Sequence, residues 1–323
     1  MIVRKFFVLA HTAVVMLLAA TLLNAYIPPS VLPGLNLLSL AFPGLFAVHL
    51  LLCLFWIFLW KKQAVLFLAV SILFLNPVRR WLNYNPQSAD IPTLKVVSAN
   101  LKTGKLGEMA AADYLNETGA HLMILQDPGE VQNMIGLAHK SRDYWVVSTS
   151  SATEIIAQGP LFGEDGYSFY ADIKHQGKVI RVINVYLTPF FFDKNKVRPA
   201  EDLEKNRSKA KYILKRLIPT FRIHEDEVDL IADAVRKSPY PVILAGDFNA
   251  VPNSYEYYTL LGDLKDAFVE VGRGSATSFH DYKVPIRIDY IFTSESIKAI
   301  SFRVERNVKI SDHFPVIAEF KIE

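Results

Sequence analysis

Before Arg79 the chain carries nearly all of its excess hydrophobicity, and no other feature restricts its fold as much. Phe6 to Tyr26 is an uncharged run behind Arg4 and Lys5. At about 1.5 Å per residue it is long enough to cross roughly 30 Å of hydrocarbon. Leu45 to Trp60 is a second run, ended by Lys61-Lys62, and Ala64 to Leu75 a shorter third, ended by Arg79-Arg80. This continuation argues against a cleaved signal peptide followed by a buried apolar hairpin. Residues 1–83 therefore read as a membrane anchor of two or three transmembrane helices. Pro28, Pro29 and Pro33 separate the first from the second, and Trp60 and Trp81 fall where interfacial aromatics belong.

Arg4, Lys5, Lys61 and Lys62 on the cytoplasmic side of a bacterial-type inner membrane would leave the first loop outside. A third crossing then puts the rest of the chain on the extracytoplasmic side, the expected location of a multi-pass protein of this kind. Two features oppose it. Arg79-Arg80 lies on the wrong side for the positive-inside bias, and a third run of roughly 14 to 17 residues is at the short limit for spanning.

Residues 84–93 form a polar linker rich in Asn, Pro and Ser, and residues 94–323 read as one soluble domain of a size that buries a substantial core. A net charge of +3 is too small to argue for nucleic acid by itself. The single cysteine, Cys53, lies in the apolar part, so the domain has no disulfide framework, no Cys-based zinc site and no thiol nucleophile. Strand-like runs alternate with helical ones: Leu94 to Ser98, a helix around Glu108 to Glu117, Leu122 to Leu125, and Tyr144 to Val147. Ser168 to Ile173 and Val179 to Leu187 read as a hairpin turning at Gly177. The mixture predicts an α/β sandwich with much antiparallel pairing. From Phe190 to Arg222 there are 10 Lys or Arg against 4 Asp or Glu at helical spacing. Such a helix is either a solvated face or a surface for phosphates or anionic lipid. Phe190-Phe191-Phe192, just before it, reads equally as core packing or as cleft lining.

Three polar clusters sit at strand ends: Gly246-Asp247-Phe248-Asn249 after Val242 to Ala245, Arg287-Ile288-Asp289-Tyr290 leading into Ile291-Phe292, and Ser311-Asp312-His313-Phe314-Pro315 before Val316 to Ala318. Carboxylates and an imidazole gathered this way suit a hard divalent ion and a phosphate ester. Together with Asn100 in Val97-Ser98-Ala99-Asn100-Leu101, Leu125-Gln126-Asp127 and Val185-Tyr186-Leu187, their order and spacing resemble the endonuclease/exonuclease/phosphatase superfamily over residues 94–323. The chain looks most like bacterial members with N-terminal membrane spans. The resemblance implies a four-layered α/β sandwich, two mixed sheets face to face with helices outside, and hydrolysis of phosphodiesters or phosphomonoesters with Mg2+ or Mn2+.

Residue by residue, the resemblance implies a metal held by Asp127, Asn100 and Asp312. Asp247 and Asn249 orient the attacking water and the scissile phosphate. His313 contacts the phosphate or moves a proton, and Asp289 holds its imidazole in one tautomer. Asp247 and Asn249 alone would also suit a plain turn, and Arg287 either reaches the phosphate or pairs with a neighbouring acid. Two residues depart from the family pattern. Asp127 stands for the usual glutamate and is one methylene shorter, with Glu130 three residues on as a substitute. Tyr186 stands where the sphingomyelinase-like and phosphatase-like branches carry histidine, and a phenol donates a hydrogen bond without positive charge at neutral pH.

The expected function is therefore a membrane-anchored, divalent-metal-dependent phosphoesterase using activated water, with a phosphate-ester partner such as a phospholipid headgroup. The alternatives are a nuclease acting on nucleic acid by the same chemistry, and a catalytically weakened domain that binds a phosphorylated ligand.

Overall fold

A computed structural model describes residues 2–86, 88–142, 144, 146–161, 167–191, 202–281 and 285–323. Among the residues singled out above, Trp145, Phe192 and positions 193–201 of the basic run lie outside these.

The domain is built on two six-stranded mixed sheets, beside a two-stranded antiparallel ribbon of β1 (Leu82–Tyr84) and β11 (Arg273–Ser275). One is ordered β13 (Ile297–Val304), β14 (Val316–Ile322), β2 (Leu94–Asn100), β3 (Leu122–Gln126), β5 (Val147–Ser151), β4 (His139–Lys140). The other runs β10 (Lys265–Asp266), β12 (Asp289–Thr293), β9 (Val242–Asp247), β8 (Lys178–Tyr186), β7 (Phe169–His175), β6 (Ile155–Pro160). Each sheet has a central parallel pair, β2 with β3 and β8 with β9, flanked by antiparallel neighbours. The sheets meet through Val96, Ile124, Val182, Ile243, Ile291 and Val316, all fully buried. Strands covered on both faces need near-continuous apolar runs, which is how β9 reads in sequence. The helix Glu108–Glu117 covers the outside of the first sheet, and Leu203–Arg236 with Tyr255–Leu261 covers the second, completing four layers. The expected hairpin is β7–β8, with Gln176 and Gly177 both at positive φ (48° and 81°), as a two-residue type I′ turn requires.

Three helical stretches, Ile2–Ala25, Gly34–Leu59 and Lys61–Arg79, are long and apolar enough to cross a membrane. The first two contain α1 (Ile2–Leu22) and α2 (Gly34–Leu59); the third is 19 residues, longer than its apolar core suggests, because a 3-10 turn at Ile72–Phe74 and a short helix at Leu75–Arg79 extend α3 (Lys61–Ser71). Inside the bundle Trp56 donates to His11, His11 pairs with His49 at 2.8 Å, and His49 pairs with Ser71 at 2.8 Å. This chain satisfies polar groups that would be costly to leave bare in hydrocarbon.

All three stretches meet the domain at one end. Asn24 and Ser39 donate to the Asn253 carbonyl (3.0 and 2.7 Å), and Asn36 donates to Glu256 (2.8 Å) while accepting from the Tyr255 amide (2.8 Å). Arg80 donates to the Asn253 side chain (2.8 Å) and lies over the Tyr257 and Tyr258 rings, and Arg79 donates to the Val269 carbonyl (3.1 Å). With α2 docked at its start, its 26 residues carry Lys61 and Lys62 about 39 Å away along the helix axis.

Candidate active site

Strand register alone brings the polar clusters to one rim. Asn100 ends β2 opposite Gln126, the residue before Asp127 at the end of β3. Tyr186 ends β8 opposite Asp247, and Asp247 ends β9 opposite Asp289, the first residue of β12. Asp312 and His313 precede β14, whose Val316 pairs with Ser98 of β2. The parallel pairs end together and the antiparallel partners start there, so both sheets deliver side chains to the same edge.

Asp247 is fully buried, accepting from the Asn249 amide (2.8 Å) and from the Asn100 side chain (2.9 Å). His313 Nδ1 lies 2.9 Å from Asp289, and its Nε2 is 3.8 Å from Asp247. Ligand atoms of Asp247, Asp289 and His313 all fall within 4.8 Å of one another. The Phe279 ring stands edge-on to the imidazole at 4.9 Å, and Ser278 Oγ accepts from the Asp289 amide. Gly246 permits this convergence: at φ 144° its absent Cβ would fall 1.9 Å from the Val185 carbonyl oxygen.

Asn249 is in the left-handed region (φ 46°), its side chain donates to the Leu187 carbonyl (2.9 Å) and its backbone amide to Asp247, so Asp247 and Asn249 do shape a turn at the end of β9. Asp127 is also left-handed (φ 45°), with its carboxylate accepting from Thr103 Oγ1 at 3.0 Å. Asp312 forms an ion pair with Lys102, whose ammonium is also 3.9 Å from Asp281.

Burial raises the Asp247 carboxyl well above the ordinary carboxylate range, against the pull of His313. For His313, burial disfavours the charged form, but Asp289 and Asp247 outweigh it and raise the imidazole above its usual value. Burial likewise raises the Tyr186 phenol, and the charges of Asp247 and Asp127 raise it further, so it stays a neutral donor. Asp312 is held below its ordinary value: burial would raise it, but Lys102 and His313 prevail.

Arg287 does not join the site. Its guanidinium is fully buried, paired with Asp266 at 2.7 Å and donating to the Arg80 carbonyl at 2.9 Å, between the Phe268 and Tyr290 rings. Of its two sequence roles, the acid pair is the one realised, and the phosphate contact is corrected. Glu130 accepts from Asn133 at the surface (2.9 Å). Sequence reasoning passed over Lys102, Thr103 and Ser278. The signal for Lys102 was available: it lies two residues past Asn100, immediately beyond a strand end.

Two mixed sheets packed face to face, with polar strand ends on one rim and helices outside, are the fold of endonuclease/exonuclease/phosphatase proteins. Residues 214–313 match the model of the Endonuclease/Exonuclease/phosphatase family, and residues 4–81 match a domain of unknown function (DUF8431). Solved structures with the same fold include humanized TDP2 of D. rerio (TM-score 0.52, 14% identity, 71% of this chain and 98% of that one). A functionally unknown conserved protein of Enterococcus faecalis V583 gives TM-score 0.51 at 14% identity over 71% of this chain and 100% of that one. The 3′ phosphatase NExo of Neisseria, bound to a product DNA hairpin, gives 0.50 at 19% identity over 71% and 99%. No curated protein matches the chain in sequence.

Proposed function

We propose that this chain is a membrane-anchored, divalent-metal-dependent phosphoesterase that hydrolyses a phosphodiester or phosphomonoester by direct attack of water. The observation that carries this is the convergence of Asp247, Asp289 and His313 within 4.8 Å on a rim shared with Asn100, Tyr186, Asn249 and Asp312. In this mechanism Asp289 fixes the proton on His313 Nδ1, leaving Nε2 to face the phosphate and carry a proton to or from it. Asp247 orients the attacking water and receives its proton, helped by the amides of Asn100 and Asn249. Tyr186 donates a hydrogen bond to a phosphate oxygen.

The donor set fits a hard cation. Among the described residues, four carboxylates, Asp127, Asp247, Asp289 and Asp312, face Lys102 and His313 as the positive groups, and an incoming phosphate adds to the excess. Asn100, Asp127 and Asp312 would hold Mg2+ or Mn2+, which when bound supplies charge neutralisation and lowers the pKa of a coordinated water. The test is hydrolysis of bis(p-nitrophenyl) phosphate and p-nitrophenyl phosphate by the full-length protein in detergent, with Mg2+, Mn2+ or EDTA. Metal-dependent release of nitrophenol is expected, and none with either metal would sink the proposal. Nuclease action on nucleic acid, or the 3′-phosphatase action named for the Neisseria neighbour, is the alternative within the same chemistry. Lys102 on Asp312 favours a second reading, a phosphate-binding domain with weakened catalysis, which predicts phosphate binding without turnover.

The helices anchor the domain, with Arg4, Lys5, Lys61 and Lys62 at the far end and cytoplasmic, which puts the domain on the extracytoplasmic face. Arg79 and Arg80 offer no contrary signal, because their charges are engaged by Val269, Asn253, Tyr257 and Tyr258. A periplasm-dependent reporter fused after Asn85 should give signal, and a silent fusion would reverse the orientation.

A further inference from the structure

Between α2 and the domain lies a cavity of about 580 Å³, lined from α2 by Leu40, Pro43 and Gly44 and from the domain side by Trp81, Thr277 and Ile286. We propose that it seats the acyl chain of a membrane lipid whose phosphate ester is the substrate; this rests on the hydrolase reading above and specifies it.

Four observations select a lipid. The α2 wall belongs to a helix apolar enough to cross a membrane, and Leu40 and Gly44 lie about 9 and 15 Å along it from the docked Gly34 end, a depth within a spanned bilayer. The described residues that line the cavity are uncharged, and the Arg306 guanidinium beside it is taken up by the Ser275 carbonyl and Thr277 Oγ1, so the lining suits an apolar chain better than a polyanion such as nucleic acid. The Trp81 indole N–H is buried with no hydrogen-bond partner among the described residues, and an ester oxygen of a seated lipid would provide one. The cavity is also joined to the site through the backbone: Ile286 bridges to Phe279, and Phe279 bridges to His313. Two strand spacings separate Ile286 from His313, about 10 Å in all, a distance of the order of one phosphoglycerol headgroup. A chain held in the cavity therefore places its headgroup phosphate near the imidazole.

The test uses full-length protein in detergent and measures competition against bis(p-nitrophenyl) phosphate hydrolysis. Dioctanoyl phosphatidic acid and glycerol 3-phosphate share a headgroup, and only the first has chains. The chain-bearing inhibitor should act at least about tenfold more tightly, as burial of a few methylenes dictates. Gly44→Phe, at a position where an added Cβ meets nothing within 4 Å, should fill the cavity and remove that advantage. Leu51→Phe, on an exposed position of α2 outside the cavity, should retain it. Equal inhibition by the two phosphates, an advantage untouched by Gly44→Phe, or tighter inhibition by a single-stranded DNA 12-mer would each overturn the proposal. Should the wild type hydrolyse no ester with either metal, the hydrolase reading fails separately. Quenching of Trp81 by a phosphatidic acid brominated in its chains, measured as the difference between wild type and Trp81→Phe, then decides the cavity alone: quenching supports lipid in it, and no difference refutes it.

Discussion

Asp289→Asn is the sharpest probe of how the site is held. The carboxylate lies 2.9 Å from His313 Nδ1, and its backbone amide separately donates to Ser278 Oγ, so the substitution removes one charge while leaving the strand in place. A hydrogen bond to a charged group contributes about 1.5–3 kcal/mol. At about 1.4 kcal/mol per decade of rate, kcat/KM should fall about 10- to 100-fold. Because Asp289 acts through the imidazole, the loss should vanish in a His313→Ala background, where the double variant should sit within about threefold of the single one. The assay is kcat/KM for bis(p-nitrophenyl) phosphate by the full-length protein, with the thermal midpoint measured alongside. Activity within about twofold of wild type at an unchanged midpoint, or losses that multiply fully in the double variant, would refute the positioning role.

Other consequences of the structure are open to measurement. Arg287→Ala strands Asp266 in the interior and should cost about 3–5 kcal/mol of stability, seen as a lower thermal midpoint, with kcat of the folded fraction little changed; a lowered kcat at an unchanged midpoint would return Arg287 to the site. For His224, burial favours the neutral form, but Glu256 at 3.0 Å, the Thr188 carbonyl and Glu227 prevail and raise its pKa above the usual value near 6.5. A raised folded-state pKa gives stability that is complete below the unfolded value and lost as pH rises through the folded one. The thermal midpoint should therefore drop on going alkaline from about pH 6, and His224→Gln should flatten that slope. Gly246→Ala drives a Cβ into the Val185 carbonyl, so β9 cannot keep its place beside β8; folded protein should be lost, as read by limited proteolysis.

The layered fold was legible because strands such as Val242–Asp247 are covered on both faces and must be apolar throughout, ending abruptly where polar chemistry begins. The same abruptness exposed Asp247, Asp289 and His313. Arg287 misled because its sequence neighbours are site residues, whereas its partner Asp266 is 21 positions away and on another strand. Nor could the docking of the N-terminal helices onto the domain be read in advance. Asn24, Asn36 and Ser39 are isolated polar residues among apolar ones, and only the folded chain shows them satisfied by Asn253 and Glu256. Arg79 and Arg80 looked like a topological conflict for the same reason: a charge count along the chain does not reveal that the domain itself consumes them.

Turnover of bis(p-nitrophenyl) phosphate by wild type, Asp247→Ala and His313→Ala, compared at equal folded concentration with Mn2+, addresses the shared pocket directly. The account predicts metal-dependent hydrolysis by the wild type and a fall of about 100-fold or more in each variant, on the scale of a lost general acid or base. Hydrolysis that survives both substitutions undiminished would contradict it, because the chemistry would then reside somewhere other than the rim where β9, β12 and the segment before β14 meet.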